Sequence, residues 1–143
     1  MLQEDHREEL RVRAIVGSVR RHRAALGVVL TIALGLASRS FPVGAHVWDK
    51  SLGDALYTVM VYFVVAFARP ALGPRALGTA ALAVSVAIET FQLTGIPARL
   101  PRMLQLALGT TFAWHDVGCY VAGAVLATLV HELATGNRRE RRR

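Results

Sequence analysis

Ala76-Leu-Gly-Thr-Ala-Ala-Leu-Ala-Val-Ser-Val-Ala-Ile-Glu-Thr-Phe-Gln-Leu93 is the stretch on which the reading of this chain turns. Ala76 to Ile88 carries no charge, and then Glu89 appears, followed by Phe91 and Leu93. If the stretch crosses a bilayer, a carboxylate near hydrocarbon depth is costly and marks a functional site by default.

The rest of the chain supports the premise. It has 143 residues, is 53% hydrophobic and carries a net charge of +7. Arginines crowd both ends, and the middle is broken into uncharged runs. A soluble domain of this size needs a mostly polar outer surface, which those middle residues do not supply. The basic residues flank apolar segments and form no separate basic domain, so no specific nucleic-acid partner is expected. Cys119 is the single cysteine, which excludes an intrachain disulfide or thiolate cluster and reads as a small packing residue. Polar and basic residues precede the first apolar run, unlike a cleavable signal.

The charge-free runs are Ala24–Ser38, Ala55–Ala68, Ala76–Ile88 and Val117–His131. Each is shorter than the roughly 20 residues of a perpendicular crossing, and flanking residues that snorkel restore the length. The expected fold is therefore an all-α, four-helix transmembrane bundle, with helices over 23–41, 53–70, 74–94 and 115–134. Residues 1–22 form a basic, amphipathic cytoplasmic tail suited to an anionic membrane surface, 23–134 the membrane domain, and 135–143 an arginine-rich cytoplasmic tail. Thirteen Lys and Arg residues lie in the two tails and the Arg69–Arg75 turn, against only Arg39, Lys50, Arg99 and Arg102 on the other face. The positive-inside rule then puts both termini in the cytoplasm. Pro70, Gly73 and Pro74 make the turn between the second and third helices tight. After Pro97 and Pro101, the mostly apolar 103–114 stretch reads as an interfacial or re-entrant helix before the last span, with Trp114 at headgroup level.

Depth arithmetic brings four charges to one height. Asp54 lies 15 residues from Arg69, Glu89 lies 14 from Arg75, and Asp116 lies 16 from Glu132. Helix 1 is bounded by Arg23 inside and Arg39 outside. At a helical rise these separations are about 21–24 Å. One charged residue from each helix thus reads as a polar cluster facing the interior. Gln92 follows Glu89 by three residues, Tyr57 follows Asp54 by three and Tyr120 follows Asp116 by four, each on the same helical face. Arg39 is the expected counter-ion, its guanidinium able to bridge two carboxylates. Three acidic groups against one Arg call for shared protons, a bound cation, or help from Lys50, Arg99 or Arg102. The blander reading makes Asp54 and Asp116 first-turn residues, lets Arg39 snorkel, and gives Glu89 an interhelical salt bridge. His46, His115 and His131 have no metal-binding spacing, and nucleotide loops and zinc motifs are absent. Gly27, Gly35, Gly78, Gly118 and Gly123 offer small faces for close helix contact.

Gly35-Leu-Ala-Ser-Arg39, Lys50-Ser-Leu-Gly-Asp-Ala-Leu-Tyr57, Ile88-Glu-Thr-Phe-Gln-Leu93 and Phe112-Ala-Trp-His-Asp-Val-Gly-Cys-Tyr120 with Gly123 resemble a family of small bacterial membrane proteins. That family is catalogued as a domain of unknown function, and some members bear an automatic ribosomal-maturation label that these residues do not support. The resemblance covers residues 30–125 and matches the family's polar positions at Arg39, Asp54, Glu89, Gln92, Asp116 and Tyr120. A looser resemblance is to VanZ-like proteins, through Asp49-Lys50, Glu89-Thr-Phe-Gln92 and Asp116. The histidine that follows Asp-Lys in those proteins is missing, since Gly53 takes its place before Asp54. Neither resemblance implies a reaction, and the expected location is the bacterial inner membrane, crossed several times.

The leading expectation is a cell-envelope protein whose outward polar pocket binds an anionic or lipid-linked envelope molecule. Arg39, Asp54, Tyr57, Glu89, Gln92, Asp116 and Tyr120 would form the polar site. Lys50, Arg99, Arg102 and Trp114 would contact an anion or headgroup. The alternatives are a structural or partner-binding protein, a membrane-embedded hydrolase or transferase, and a small transporter component. No cofactor is expected beyond a bound cation, and the partners are membrane lipids, with self-association as a route to a wider assembly.

Overall fold

The computed structural model describes residues 2–40 and 46–140, the side chains of 2–6, 13, 39, 46–50, 106–107 and 137–140 excepted. The described residues form helices α1 (Leu2–Ser40), α2 (His46–Ala68), α3 (Pro74–Gln92), α4 (Arg102–Leu108) and α5 (Trp114–Glu140). A single 3-10 turn, Pro97–Arg99, lies between α3 and α4. The all-helical expectation holds for the described residues. Ser51–Ala68 and Trp114–Gly136 are long and apolar enough to cross a membrane.

The boundaries differ from the sequence reading in an instructive way. α1 runs unbroken from Leu2, so the junction between basic tail and apolar segment falls inside one helix. Arg, Glu, Leu and Ala dominate this start, all strong helix formers, with no Gly before Gly17 and no Pro. α5 likewise continues to Glu140, past the expected end at 134. α3 starts as expected, with Pro74 in its first turn, where a missing N–H costs nothing.

Small residues decide which helices touch. α2, α3 and α5 all pack on one another, whereas α1 packs on α2 alone among the described residues. On α1, Ala24, Gly27 and Thr31 are buried at three- and four-residue spacing, and a Cβ on Gly27 would stand 2.5 Å from the Phe63 ring. Gly123 of α5 lies against the Ala55 carbonyl of α2, and Gly78 of α3 against the Thr128 hydroxyl of α5. Such close approaches bring backbones together where side-chain packing and polar contacts hold helices.

The buried stripe of α3 is Leu77, Gly78, Ala81, Ser85, Glu89 and Gln92. Its far half is polar, while Val84, Phe91 and Leu93 are exposed. Thr58 of α2 donates to Ser85 at 3.2 Å, both fully buried. On α5 the same inversion leaves Val125, Leu126, Leu129 and Val130 exposed. At the opposite end of the helices, Arg75 pairs with Glu132 at 2.8 Å in an exposed contact, and Tyr62 shares a 2.7 Å hydrogen bond with His131 Nδ1.

Candidate functional site

Because α1, among the described residues, leans on α2 alone, a gap opens between α1 and the α3–α5 pair. It is a cleft of about 680 Å³, with Thr31, Ile32, Gly35 and Leu36 on its α1 side and Ile88, Glu89 and Gln92 on its α3 side. Asp54, Tyr57 and Met60 come from α2, Asp116 and Tyr120 from α5, and Gly109, Thr110 and Thr111 from the connection. Six of the expected polar residues, Asp54, Tyr57, Glu89, Gln92, Asp116 and Tyr120, therefore surround one space.

Glu89 is its centre and is only 1% exposed. Tyr120 donates to Glu89 Oε2 at 2.8 Å, Gln92 Nε2 donates to the same oxygen at 3.2 Å, and the Ala113 amide donates to Oε1 at 2.7 Å. All three are neutral donors. Among the described residues Glu89 has no ion-pair partner. Among the described residues a hydroxyl, a side-chain amide and a backbone N–H hold the carboxylate, and the side chain of Arg39, the expected counter-ion, lies outside them. The rings of Tyr57 and Tyr120 stand 6.1 Å apart, so Tyr57 backs the tyrosine that grips Glu89. Asp116 is buried, and Asp54 is half-buried.

The α3–α5 connection closes this end of the cleft. Gln105 Nε2 donates to the Leu100 and Ala98 carbonyls at 2.8 and 3.0 Å, tying α4 to the preceding turn. Gly109 then ends α4 at φ 70° and ψ 176°, a region open essentially to glycine alone. A Cβ there would stand 2.6 Å from Gln92 Nε2. The same nitrogen donates to the Leu108 carbonyl at 2.7 Å. So the connection folds back onto the end of α3, and its last residue before α5, Ala113, reaches Glu89. The helix expected within 103–114 exists, though only as the short α4.

Other expected residues lie elsewhere. Arg99 and Arg102 are exposed and outside the cleft lining. Trp114 is 80% exposed and packs edge-to-face on Phe112. The side chains of Arg39 and Lys50 lie outside the described residues, although Arg39 itself belongs to α1 one turn beyond Gly35. Among the described residues no Lys or Arg lines the cleft, and no group of three His, Cys, Asp or Glu side chains stands ready to hold a metal ion. Sequence reasoning missed Thr31, Thr110 and Thr111, and it missed the pairing of Ser51 Oγ with His115 Nε2 at 2.7 Å beside the Cys119 thiol.

A family model described as "Protein of unknown function (DUF2809)" matches residues 43–124. The chain belongs to the DUF2809 family. The match covers α2, α3, the connection and the first part of α5, and so takes in Asp54, Glu89, Gln92, Asp116 and Tyr120. The α1 side of the cleft lies outside the DUF2809 match. No curated protein and no solved structure matches the chain.

Proposed function

We propose that the chain is a multi-pass protein of the bacterial inner membrane whose cleft receives the polar head of an amphipathic envelope molecule. In this reading α1, α2, α3 and α5 cross the bilayer, both termini are cytoplasmic and the cleft opens towards the outer leaflet. Support for the membrane comes from the inverted burial. Only 17% and 22% of the two membrane-length apolar stretches is buried, whereas the polar Thr58, Ser85, Glu89 and Gln92 are buried. In water that arrangement exposes the wrong surface, and in lipid it turns apolar side chains to an apolar solvent. The short α3 still spans about 28 Å, close to the hydrocarbon thickness. The arginine asymmetry supports the orientation.

The observation that carries the function is the cleft's mixed lining. Ile32, Leu36, Met60 and Ile88 offer an apolar wall to a chain, and the Glu89 network offers acceptors to a head. Arg99 and Arg102 do not line it, and the reading rests on the acceptors that the described lining offers to a head's hydroxyl or amine donors.

Gly35 and Gly53 provide the test. Both line the cleft, and among the described residues a Cβ on either meets nothing within 4 Å. Gly53→Leu and Gly35→Leu should therefore fill the space while leaving the helices intact, since leaving glycine raises helix propensity. Mass spectrometry of lipids retained by the purified protein should show a species lost from both variants. Identical retained lipids in parent and variants would sink the reading. Reporter fusions at each end should both report the cytoplasm, and an external terminus would refute the topology.

A further inference from the structure

Gln92 narrows what the head must be. Its Nε2 already faces two acceptors, Glu89 Oε2 and the Leu108 carbonyl. Turning the amide over would set its oxygen against both, so the orientation is fixed by the network. Oε1 is left buried with no donor among the described residues, in a side chain only 7% exposed. A buried carbonyl without a donor carries its full desolvation penalty, and the group that relieves it must bring an N–H or O–H.

Glu89 adds charge to that requirement. A carboxylate offers about four acceptor positions, and three neutral donors occupy three of them. No described side chain supplies a positive charge to it. A hydroxyl head would answer the hydrogen bonds and leave the charge unanswered. A quaternary ammonium would answer the charge and bring no N–H. A hard metal ion would ask for roughly six or more oxygen ligands, and among the described residues no group of three His, Cys, Asp or Glu side chains stands ready to hold one.

We propose that the Glu89–Gln92 end of the cleft seats a primary ammonium group, with its N–H donors on Gln92 Oε1 and Glu89 and its apolar chain along Ile32, Leu36 and Met60. The proposal rests on the cleft being the ligand site argued above. The amine belongs either to a lipid or to a free alkylamine, and the chemistry of the seat is common to both.

The experiment uses the full chain in phosphatidylglycerol nanodiscs, titrated calorimetrically with three probes that share one tail: dodecylammonium, dodecyltrimethylammonium and dodecyl glucoside. Each titration is repeated on Gly53→Leu, and only the heat that this variant abolishes counts as cleft binding. Dodecylammonium should bind at least roughly ten-fold tighter than the other two, and Glu89→Gln should cost roughly ten-fold or more, since each factor of ten is about 1.4 kcal/mol. Methylammonium sorts the source: cleft binding as tight as that of dodecylammonium supports the seat and assigns it to a free amine, and much weaker binding supports it and assigns a lipid. Equal or tighter cleft binding of the trimethyl or glucoside probe overturns the ammonium seat and leaves the cleft reading standing. Displacement of dodecylammonium by sodium chloride but not by choline chloride at the same ionic strength also overturns it. If Glu89→Gln does not fold, the probe series on the parent and Gly53→Leu still decides. No heat sensitive to Gly53→Leu with any probe overturns both.

Discussion

Tyr120 and Tyr57 stand 6.1 Å apart on the same cleft, yet removing their hydroxyls should have unequal consequences. Tyr120 is 6% exposed and donates at 2.8 Å to Glu89, which is 1% exposed. Water cannot replace the lost donor, and a hydrogen bond to a charged group contributes about 1.5–3 kcal/mol. Tyr120→Phe should therefore lose that much, or about 5–10 °C of melting temperature in a chain of this size. Tyr57 has no hydrogen bond to its hydroxyl among the described residues, so Tyr57→Phe should stay within about 0.5 kcal/mol. Both changes keep the ring, the packing and the tilted contact.

A second layer removes the charge. In a Glu89→Gln background the Tyr120 hydroxyl meets a neutral acceptor, whose hydrogen bond contributes only about 0.5–1.5 kcal/mol. Tyr120→Phe should then cost about half of what it costs in the parent, and the difference is the coupling between the two side chains. Thermal or chemical unfolding of the four members of this cycle, in one detergent at fixed pH, measures it. Equal losses for Tyr120→Phe and Tyr57→Phe would refute the geometry of the network. A Tyr120→Phe loss that is unchanged in the Glu89→Gln background would mean that the charge at Glu89 is not what the hydroxyl stabilises.

Gly123→Ala should destabilise by about 1–3 kcal/mol, because its new methyl meets the Ala55 backbone, which cannot rotate aside. Gly118→Ala, on the same helix with nothing within 4 Å, should be neutral or gain up to about 1 kcal/mol, and unfolding of the pair side by side checks both. Gly109→Ala meets a forbidden backbone region and the Gln92 amide together, so it should cost about 1–3 kcal/mol and weaken retention of any cleft ligand, measured by melting and by lipid mass spectrometry.

Where the sequence is readable, it is readable because one physical quantity dominates. The apolar runs mark α2, α3 and α5, since charge is excluded from such segments whatever their neighbours do. Counting residues inward from Arg69, Arg75 and Glu132 then brings Asp54, Glu89 and Asp116 to one height, and the cleft does gather them. The lateral arrangement has no comparable signal. Nothing in the order of the helices says that, among the described residues, α1 rests on α2 alone, and that one-sided contact is what opens the cleft. Nor does side-chain chemistry reveal the Ala113 amide, because every residue but proline carries the same donor and only the path of the chain aims it. Arg99, Arg102 and Trp114 look like site residues in the sequence because they are near it in the chain. The short helix that Gln105 ties to the preceding turn and Gly109 terminates turns the backbone towards Glu89 and leaves those three side chains outside the cleft lining. The replacement is chemically specific: guanidinium groups that could grip phosphate are absent from the described lining, and a glycine, a carbonyl and a backbone N–H stand where the connection meets Glu89 and Gln92. Among the described residues such a lining offers acceptors and no cation, which is why the ligand we propose for it is an amine.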